Sequence, residues 1–388
     1  MEKFERTQYA VAVVGAGIIG LFTALHLARA GVRPILVVDR GYLSSGASGR
    51  NGGGVRQQWE TRATVRLAQE SVKAYRHFGR EFGFNVWFRQ GGYLFLAETA
   101  SELDQLRRME VAVRAEGLKV RILTPAQVAD RVPEIVTEGL AGGSFLDSDG
   151  TLYPFPAVWG LYEAVRSLGV EVALGVEAAG VEQAEGTVRG LATNAGIVRA
   201  DWVVNAAGGW SGEFTRRAGL GSVNVASRHE ILATEPLKPF LDPMVVRPRD
   251  GLYFSQTMRG EVVGGLTLAH PKGTPQGMTS STSFLRAMAS ALIGLMPRLG
   301  SLGVLRAWSG FYDDTPDGLP VLGEDTRLKH FVHANGFGGH GFMLAPSATL
   351  RVAQMILGAK TDLDPALFGP ERFAHGPLST PVERLQLG

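Results

Sequence analysis

The chain has 388 residues, 45% hydrophobic and 20% charged, which is ample for a buried core and excludes an intrinsically disordered chain. Its 39 basic and 37 acidic residues leave a net charge of +2, too balanced for a dedicated nucleic-acid binder. It has no cysteine, which excludes disulfides, thiolate zinc or iron–sulfur sites, a cysteine nucleophile and a cysteinyl cofactor link. The length suits two or three domains or one large two-lobed enzyme. The 51 glycines cluster in short runs, where the backbone must turn or approach a ligand closely.

Ala10 to Ala28 is nearly all apolar, but Gly15, Gly17 and Gly20 interrupt it and His26 and Arg29 close it. It therefore reads as strand, turn and helix rather than an export signal, and no other stretch approaches the length of a spanning helix. A cytoplasmic chain without a membrane span is expected. The run Tyr9 to Val14 is apolar and β-branched, as in a buried parallel strand. Gly15-Ala16-Gly17-Ile18-Ile19-Gly20 follows, then a helical segment from Leu21 to Arg29 ended by Gly31. A second strand, Pro34 to Val38, ends in Asp39 and Arg40. Gly15 permits the tight turn, Gly17 lets the backbone approach a pyrophosphate, and Gly20 lets helix and strand pack closely. The helix N-terminus offers N–H groups and a positive dipole end to phosphates. Asp39 can accept hydrogen bonds from ribose hydroxyls and would repel a 2′-phosphate, which disfavours NADP. The motif alone does not separate FAD from NAD. The long small-residue loop from Ser44 to Arg56 does, because a pure NAD enzyme has no need of it here. Ser44, Ser45, Ala47, Ser48, Asn51, Gly52 and Gly53 can wrap a cofactor with hydroxyls and backbone N–H groups.

Further along, Thr61 to Phe82 has helical spacing with an apolar face of Val65, Leu67, Ala68, Val72, Tyr75 and Phe78. Val86 to Leu96 reads as strands around Gln90-Gly91-Gly92. Ala100 to Glu116 alternates charge like a solvated helix. Thr124-Pro125 opens another helix, and Ala157 to Leu168 is amphipathic. Asp201 to Ala206 is a buried strand ending in Ala207-Gly208-Gly209-Trp210. Arg228 to Thr234 and Gly251 to Leu266 read as strands with polar faces. Thr279 to Pro297 is a helix stopped by proline. Phe331 to Ala334 is a final strand, followed by the loop Asn335 to Gly341 and a closing helix, Ala345 to Leu357.

Six segments in order give the chain a family likeness. They are VVGAGIIG (13–20), SSGASGRNGGGVRQQ (44–58), QGGYLFLA (90–97), VVNAAGGWS (203–211), RAWSGFYDDTPDGLPVLG (306–323) and NGFGGHGFMLAP (335–346). Over nearly the whole chain it resembles the D-amino-acid-oxidase superfamily of FAD-dependent amine oxidoreductases. Within it, the chain is most similar to the β-subunits of dye-linked L-proline dehydrogenase and heterotetrameric sarcosine oxidase. The resemblance implies an α/β fold, in the two-lobed α+β sense. A Rossmann-like FAD-binding lobe (1–85, 140–220 and 318–388) interleaves with a substrate lobe (86–139 and 221–317) built on a large mixed or antiparallel sheet. It also implies that Val176 meets the adenine through its backbone from a central strand. Ala207, Gly208 and Trp210 would lie under the cofactor, and the N–H groups of Gly338, Gly339, Gly341 and Phe342 would face the flavin edge where negative charge develops. His340 and Met343 belong to the same loop, His340 as a cofactor contact or an acid or base.

The implied reaction is oxidation of a C–N bond, with a hydride passing to flavin N5. Arg56 aligns with an arginine that holds the substrate carboxylate in sarcosine-oxidising relatives, or it neighbours the flavin. Second anchors are missing: Met343 stands where some sarcosine oxidases have lysine, and Tyr312 is near an arginine of glycine-oxidase-like members. Tyr253, Gln256, His229 and Tyr312 could supply neutral hydrogen bonds instead. Trp308 and Phe311 could wall an apolar pocket suited to a ring such as proline. Arg228, Arg247, Arg249 and Arg259 lie on substrate-lobe strands and either bind an acidic substrate or face solvent. Gly310 stands near the place where relatives carry a linking cysteine, and Tyr153-Pro154-Phe155 offers no linking histidine, so FAD is expected to be non-covalent. No lysine occurs at Glu261-Val262-Val263-Gly264, which favours a dehydrogenase over an oxidase. Three readings stay open. One is a proline-dehydrogenase-like enzyme passing electrons to a dye, a quinone or a partner subunit's flavin. Another is an oxidase of sarcosine, glycine or a D-amino acid using O2. The last is a flavin-binding assembly subunit, inactive alone. A hetero-oligomer fits the first and last.

Overall fold

The computed structural model describes residues 4–268, 277–374 and Glu383. The C-terminal part of the expected FAD lobe, 375–382 and 384–388, lies outside the described residues. Two eight-stranded sheets organise the rest. The first grows from Gln8–Val14 and Ile35–Asp39, which pair in parallel. Both are β-branched and almost wholly buried, as strands covered on both faces must be. Gly196–Asn205 lies parallel on the far side of Gln8–Val14. Phe331–Asn335, then the antiparallel Val321–Glu324, extend one edge, and Glu171–Leu174 extends the other. A hairpin, Ala178–Ala184 and Thr187–Thr193, leans on Gly196–Asn205.

Helix Ile18–Arg29 starts three residues earlier than its spacing indicates and is buried nearly all round. It packs between helices Gly341–Ile356 and Pro154–Ser167, so no polar stripe marks it in the sequence. Helix Arg62–Phe82 buries the expected apolar face, opens with Thr61 capping Thr64 N at 3.2 Å, and ends at Gly83 with φ +73°. The charged helix Ala100–Ala115 buries only Leu103, Leu106, Met109 and Val113, one stripe of a solvated helix.

The second sheet runs in the order Val304–Asp314, Val225–Pro236, Glu261–Leu266, Leu252–Gln256, Met244–Arg247, Tyr93–Ala97, Gly142–Leu146, Arg121–Leu123. All its pairings are antiparallel except Met244–Arg247 with Tyr93–Ala97. Gly142–Leu146 belongs to this sheet, where its ladder partners are Tyr93–Ala97 and Arg121–Leu123. Between Val86 and Leu96 only Tyr93 onward is strand, with a single bridge from Arg89 to Thr151. The closing helix also starts earlier, at Gly341, with Pro346 inside it. Pro346 lacks the N–H that would bond Phe342 O, and the Tyr75 hydroxyl donates to that carbonyl instead at 2.6 Å.

Behind the first sheet, Arg372 and Asp317 form an ion pair whose side chains are 1% and 2% exposed. Arg372 also donates to the carbonyls of Phe368, Gly369 and Leu319. Arg372→Ala would strand a buried carboxylate at a cost of about 3–5 kcal/mol. Urea unfolding measures this, with the midpoint falling and the slope preserved. A loss under ~1 kcal/mol would mean that Asp317 finds water or another donor once Arg372 is gone.

Candidate active site between the two sheets

A cleft of about 430 Å³ opens at the C-terminal ends of Gln8–Val14 and Ile35–Asp39 and reaches the second sheet. Crevices at this end of parallel strands are where open α/β sheets take ligands. Gly15 has φ +112°, and a Cβ there would sit 2.3 Å from Ala206 O. A Cβ at Gly20 would sit 1.8 Å from Gly15 O, so that glycine serves helix–strand contact behind the cleft. Gly17 caps the helix without a side chain and presents backbone to the cleft. The Asp39 carboxylate accepts from Ala16 N and Gly41 N, both at 2.8 Å, and so holds the turn while facing the cleft. Ser48 Oγ takes Ile18 N at 2.9 Å, and no acidic residue occupies the first turn. Its other N–H groups have no acceptor inside the helix and sit at the positive dipole end.

The loop from Ser44 is pinned over this turn. Asn51 Nδ2 donates to Ser48 O at 2.7 Å and Asn51 Oδ1 accepts Gly53 N at 2.8 Å. Arg50 donates to Ser45 O at 2.7 Å and to Ser309 O at 3.1 Å, joining the loop to the second sheet. Ser44 is held at φ +69°, and its buried hydroxyl has no hydrogen-bond partner among the described residues. Bare helix N–H groups, an orphaned hydroxyl and glycines that exclude side chains fit the phosphates of a dinucleotide such as FAD.

Most expected cofactor residues line the cleft: Gly15 to Ile19, Asp39, Arg40, Ser44, Ser45, Ala47, Ser48, Asn51, Gly52, Val176, Ala207, Gly208, Trp210, Gly338, Gly339, Gly341, Phe342 and Met343. Gly20, Gly53 and His340 do not. Val176 sits in the loop after Glu171–Leu174, not in a strand, because Gly175 turns the chain at φ +72°. Its N–H donates to Asp39 O at 2.8 Å. Arg40 covers the Trp210 ring at 5.2 Å.

Three expected catalytic residues stand elsewhere. Gln256 is fully used in structure: its Oε1 accepts Phe240 N and Leu241 N, and its Nε2 faces the carbonyls of Leu237, Lys238 and Gly260. Arg56 is completely buried behind the cleft, 3.2 Å from His340 Nε2 and over the Trp59 ring at 4.1 Å. Arginine only donates, so His340 Nε2 is the acceptor and the ring is neutral. Burial, then the Arg56 charge, holds His340 well below the usual histidine range. Neither Arg56 nor His340 lines the cleft itself; the two side chains meet directly behind it. Beside them Asp149 accepts Gln57 N, Gln57 Nε2 and Gln58 Nε2, and burial pushes its carboxyl up to about 7.

Tyr253 and Tyr312 do line the far end of the cleft, with Gly52, His229, Ile231, Gly310 and Phe311. Their hydroxyls hydrogen-bond each other, and burial raises both above the usual tyrosine range. A Cβ at Gly339 would press to 2.6 Å on the Tyr312 ring, so the closing loop rests directly on this wall. Trp308 does not line the cleft and donates Nε1 to Arg50 O at 2.9 Å. Arg247 and Arg249 pair with Glu98, and Arg259 with Glu261, away from the cleft. Sequence reasoning missed Arg50 and Asp313 as lining residues; the only signal for Asp313 was its place in 306–323. Asp313 accepts Gly336 N at 2.6 Å and Asn224 Nδ2 at 3.1 Å, and burial pushes it up to about 7. Among the described residues there is no group able to hold a metal ion and no helix long and apolar enough to cross a membrane.

Two outcomes follow from this geometry. Gly15→Ala should weaken FAD retention about tenfold or more, since the left-handed backbone alone costs roughly 1–3 kcal/mol; the flavin-to-protein absorbance ratio after gel filtration reads it. The raised Asp149 favours the protonated folded state, so its contribution is present at low pH and lost as pH rises through about 7. Asp149→Asn should start less stable at pH 5 but fall more shallowly to pH 8, by up to ~1.4 kcal/mol per pH unit in urea titrations.

The comparisons agree with this architecture. Residues 10–355 match the model of the DAO family, described as FAD dependent oxidoreductase. The sarcosine oxidase subunit beta of Rhodobacter capsulatus is 27% identical over 377 residues, covering 96% of this chain and 90% of the relative. The crystal structure of L-proline dehydrogenase from P. horikoshii superposes with TM-score 0.89 at 30% identity, covering 96% of this chain and 99% of that one. Glycine oxidase from Geobacillus kaustophilus superposes with TM-score 0.85 at 26% identity, covering 94% and 98%. The chain belongs to the DAO family of FAD-dependent oxidoreductases.

Proposed function

We propose that this chain oxidises the C–N bond of a small amino acid or secondary amine, acting as a proline-dehydrogenase-like dehydrogenase with non-covalent FAD. One observation carries the reading: the cleft ends in a wall of Tyr253, Tyr312, Phe311 and Ile231 that is apolar except for two hydroxyls and the neighbouring His229. Such a wall suits a compact ring or methylated amine, with the hydroxyls orienting a carboxylate. The likeness to L-proline dehydrogenase supports the choice. Bound FAD supplies the two-electron acceptor for the C–H bond beside the nitrogen. The protein's part is to hold the substrate against that acceptor, exclude water and stabilise developing negative charge with the N–H groups of Gly339, Gly341 and Phe342 at a helix N-terminus.

The strand Glu261–Leu266 carries no lysine, and this supports an acceptor other than O2. A sarcosine or glycine oxidase is the second reading, favoured by the relatives of those names. Likeness to proteins named as a subunit supports assembly with further chains, and leaves open a flavin-bearing subunit inactive alone.

The test is anaerobic addition of L-proline, D-proline, sarcosine, glycine and D-alanine to the yellow holoenzyme. L-Proline should bleach the flavin band fastest, with slow recovery in air. Bleaching by sarcosine or glycine with rapid peroxide formation would select the oxidase. Acid precipitation should leave all the flavin in the supernatant; yellow colour in the pellet would overturn non-covalent binding.

A further inference from the structure

We propose that Arg40 and Trp210 form a clasp across the phosphate turn that sets how fast the dinucleotide leaves, with Arg40 supplying the positive charge that meets its phosphates. The clasp concerns the FAD of the family, whichever amine is oxidised. Strand order makes the arrangement. Gln8–Val14 lies between Ile35–Asp39 and Gly196–Asn205, and Val14 is level with Val38 on one side and Asn205 on the other. Arg40 therefore leaves the sheet on one flank of the glycine turn, and Ala206 to Trp210 leave it on the other. The two flanking strands are about 10 Å apart, twice the spacing of neighbours. Only a long side chain can cross that gap. The Arg40 guanidinium does so and stands 5.2 Å from the centroid of the Trp210 ring. Arg40, Gly15, Ala16, Gly17 and Trp210 all line the cleft, so the contact bridges it beside the turn.

The two halves of the clasp are held differently. Trp210 is braced from the second sheet. Gly208, at φ +56°, turns the chain after Asn205, and the Trp210 ring meets Phe311 nearly edge-on with centroids 5.7 Å apart. A Cβ at Gly209 would press to 2.7 Å on Phe311 Cβ, so this turn rests on the neighbouring strand. Arg40 is exposed and touches only the ring. Two other arginines line the cleft. Arg217 is paired with Glu177 and Glu213, and Arg50 donates to the carbonyls of Ser45 and Ser309. Among the described residues the Arg40 guanidinium makes no hydrogen bond or ion pair. The adjacent carboxylate of Asp39 has each oxygen on a backbone amide, Ala16 N and Gly41 N. A guanidinium lying over an indole face keeps its in-plane N–H donors open. Those donors form a planar fork that suits phosphate oxygens. Joined at once to the ring and to an anion, Arg40 ties the ligand to both flanks of the turn. Release then requires that bridge to open.

The test is the rate at which FAD leaves the holoenzyme, read as flavin fluorescence rising after dilution. Arg40→Gln should speed release about tenfold, the scale of one lost charge-assisted contact. Arg40→Lys keeps the charge and should release more slowly than Arg40→Gln. Wild-type release should quicken from low to high KCl, and Arg40→Gln should respond much less, because salt screens a charge it lacks. Trp210→Leu should speed release by a similar factor and Trp210→Phe by less, since an aromatic face remains. In the double variant Arg40→Gln/Trp210→Leu the two effects should not multiply, because either change alone opens the bridge. Arg40 is exposed, so its replacement leaves the core packing in place. Release from Arg40→Gln at the wild-type rate, or with the wild-type salt dependence, overturns the role of the charge. Effects that multiply in the double variant overturn the clasp. None of these rates depends on turnover, so a holoenzyme that no amino acid bleaches would unseat the amine-oxidation reading and leave the clasp standing.

Discussion

Asp39 Oδ2 accepts the Ala16 amide and Oδ1 the Gly41 amide, each at 2.8 Å. That one carboxylate ties the end of the second strand to the turn after the first. With it in place, Gly15 can hold its positive φ against Ala206 O and the helix from Ile18 can aim its N-terminus into the cleft. A charge-assisted bond to a backbone N–H is among the stronger ties available to a loop. The remaining cradle is built outward from it. Ser48 reaches Ile18 N, Asn51 pins Ser48 and Gly53, and Arg50 links the loop to Ser309 of the second sheet.

The second sheet contributes a wall rather than a cradle. Its strands bring Tyr253, Ile231, His229 and Tyr312 to one face through simple period-two alternation and antiparallel register. Glycines make the contacts tight. Gly52 and Gly265 lie where any Cβ would press on the Tyr253 ring, at 2.9 and 2.8 Å. Gly339 does the same for Tyr312. The glycine excess is thus used twice, once for cofactor phosphates and once to let loops lie on tyrosines.

Charge placement separates the two ends of the cleft. The dinucleotide end has helix N–H groups and Arg40, suited to phosphates. The far end has hydroxyls, one imidazole and aromatic surface. The buried Arg56 stands behind this wall, where its charge keeps His340 neutral.

The glycine turn, the acid at 39, the loop from Ser44 and the closing glycine loop were legible in the sequence, because local backbone conformation and helix ends demand particular residues at fixed spacing. The amphipathic helix at 62–82 was legible for the same reason: its face repeats every turn. The surroundings of Arg56, Gln256, His340 and His229 were not. Arg56 and Gln256 read as polar residues next to candidate motifs, yet one is buried against Trp59 and the other ties a loop near Phe240. His229 looked like one strand residue among several; only strand register set Ser227, Asp314 and Tyr312 around it. Local chemistry is written in the order of residues. Which polar groups meet across two sheets is decided by packing and register over separations such as the 284 residues between Arg56 and His340, and no short-range pattern encodes that.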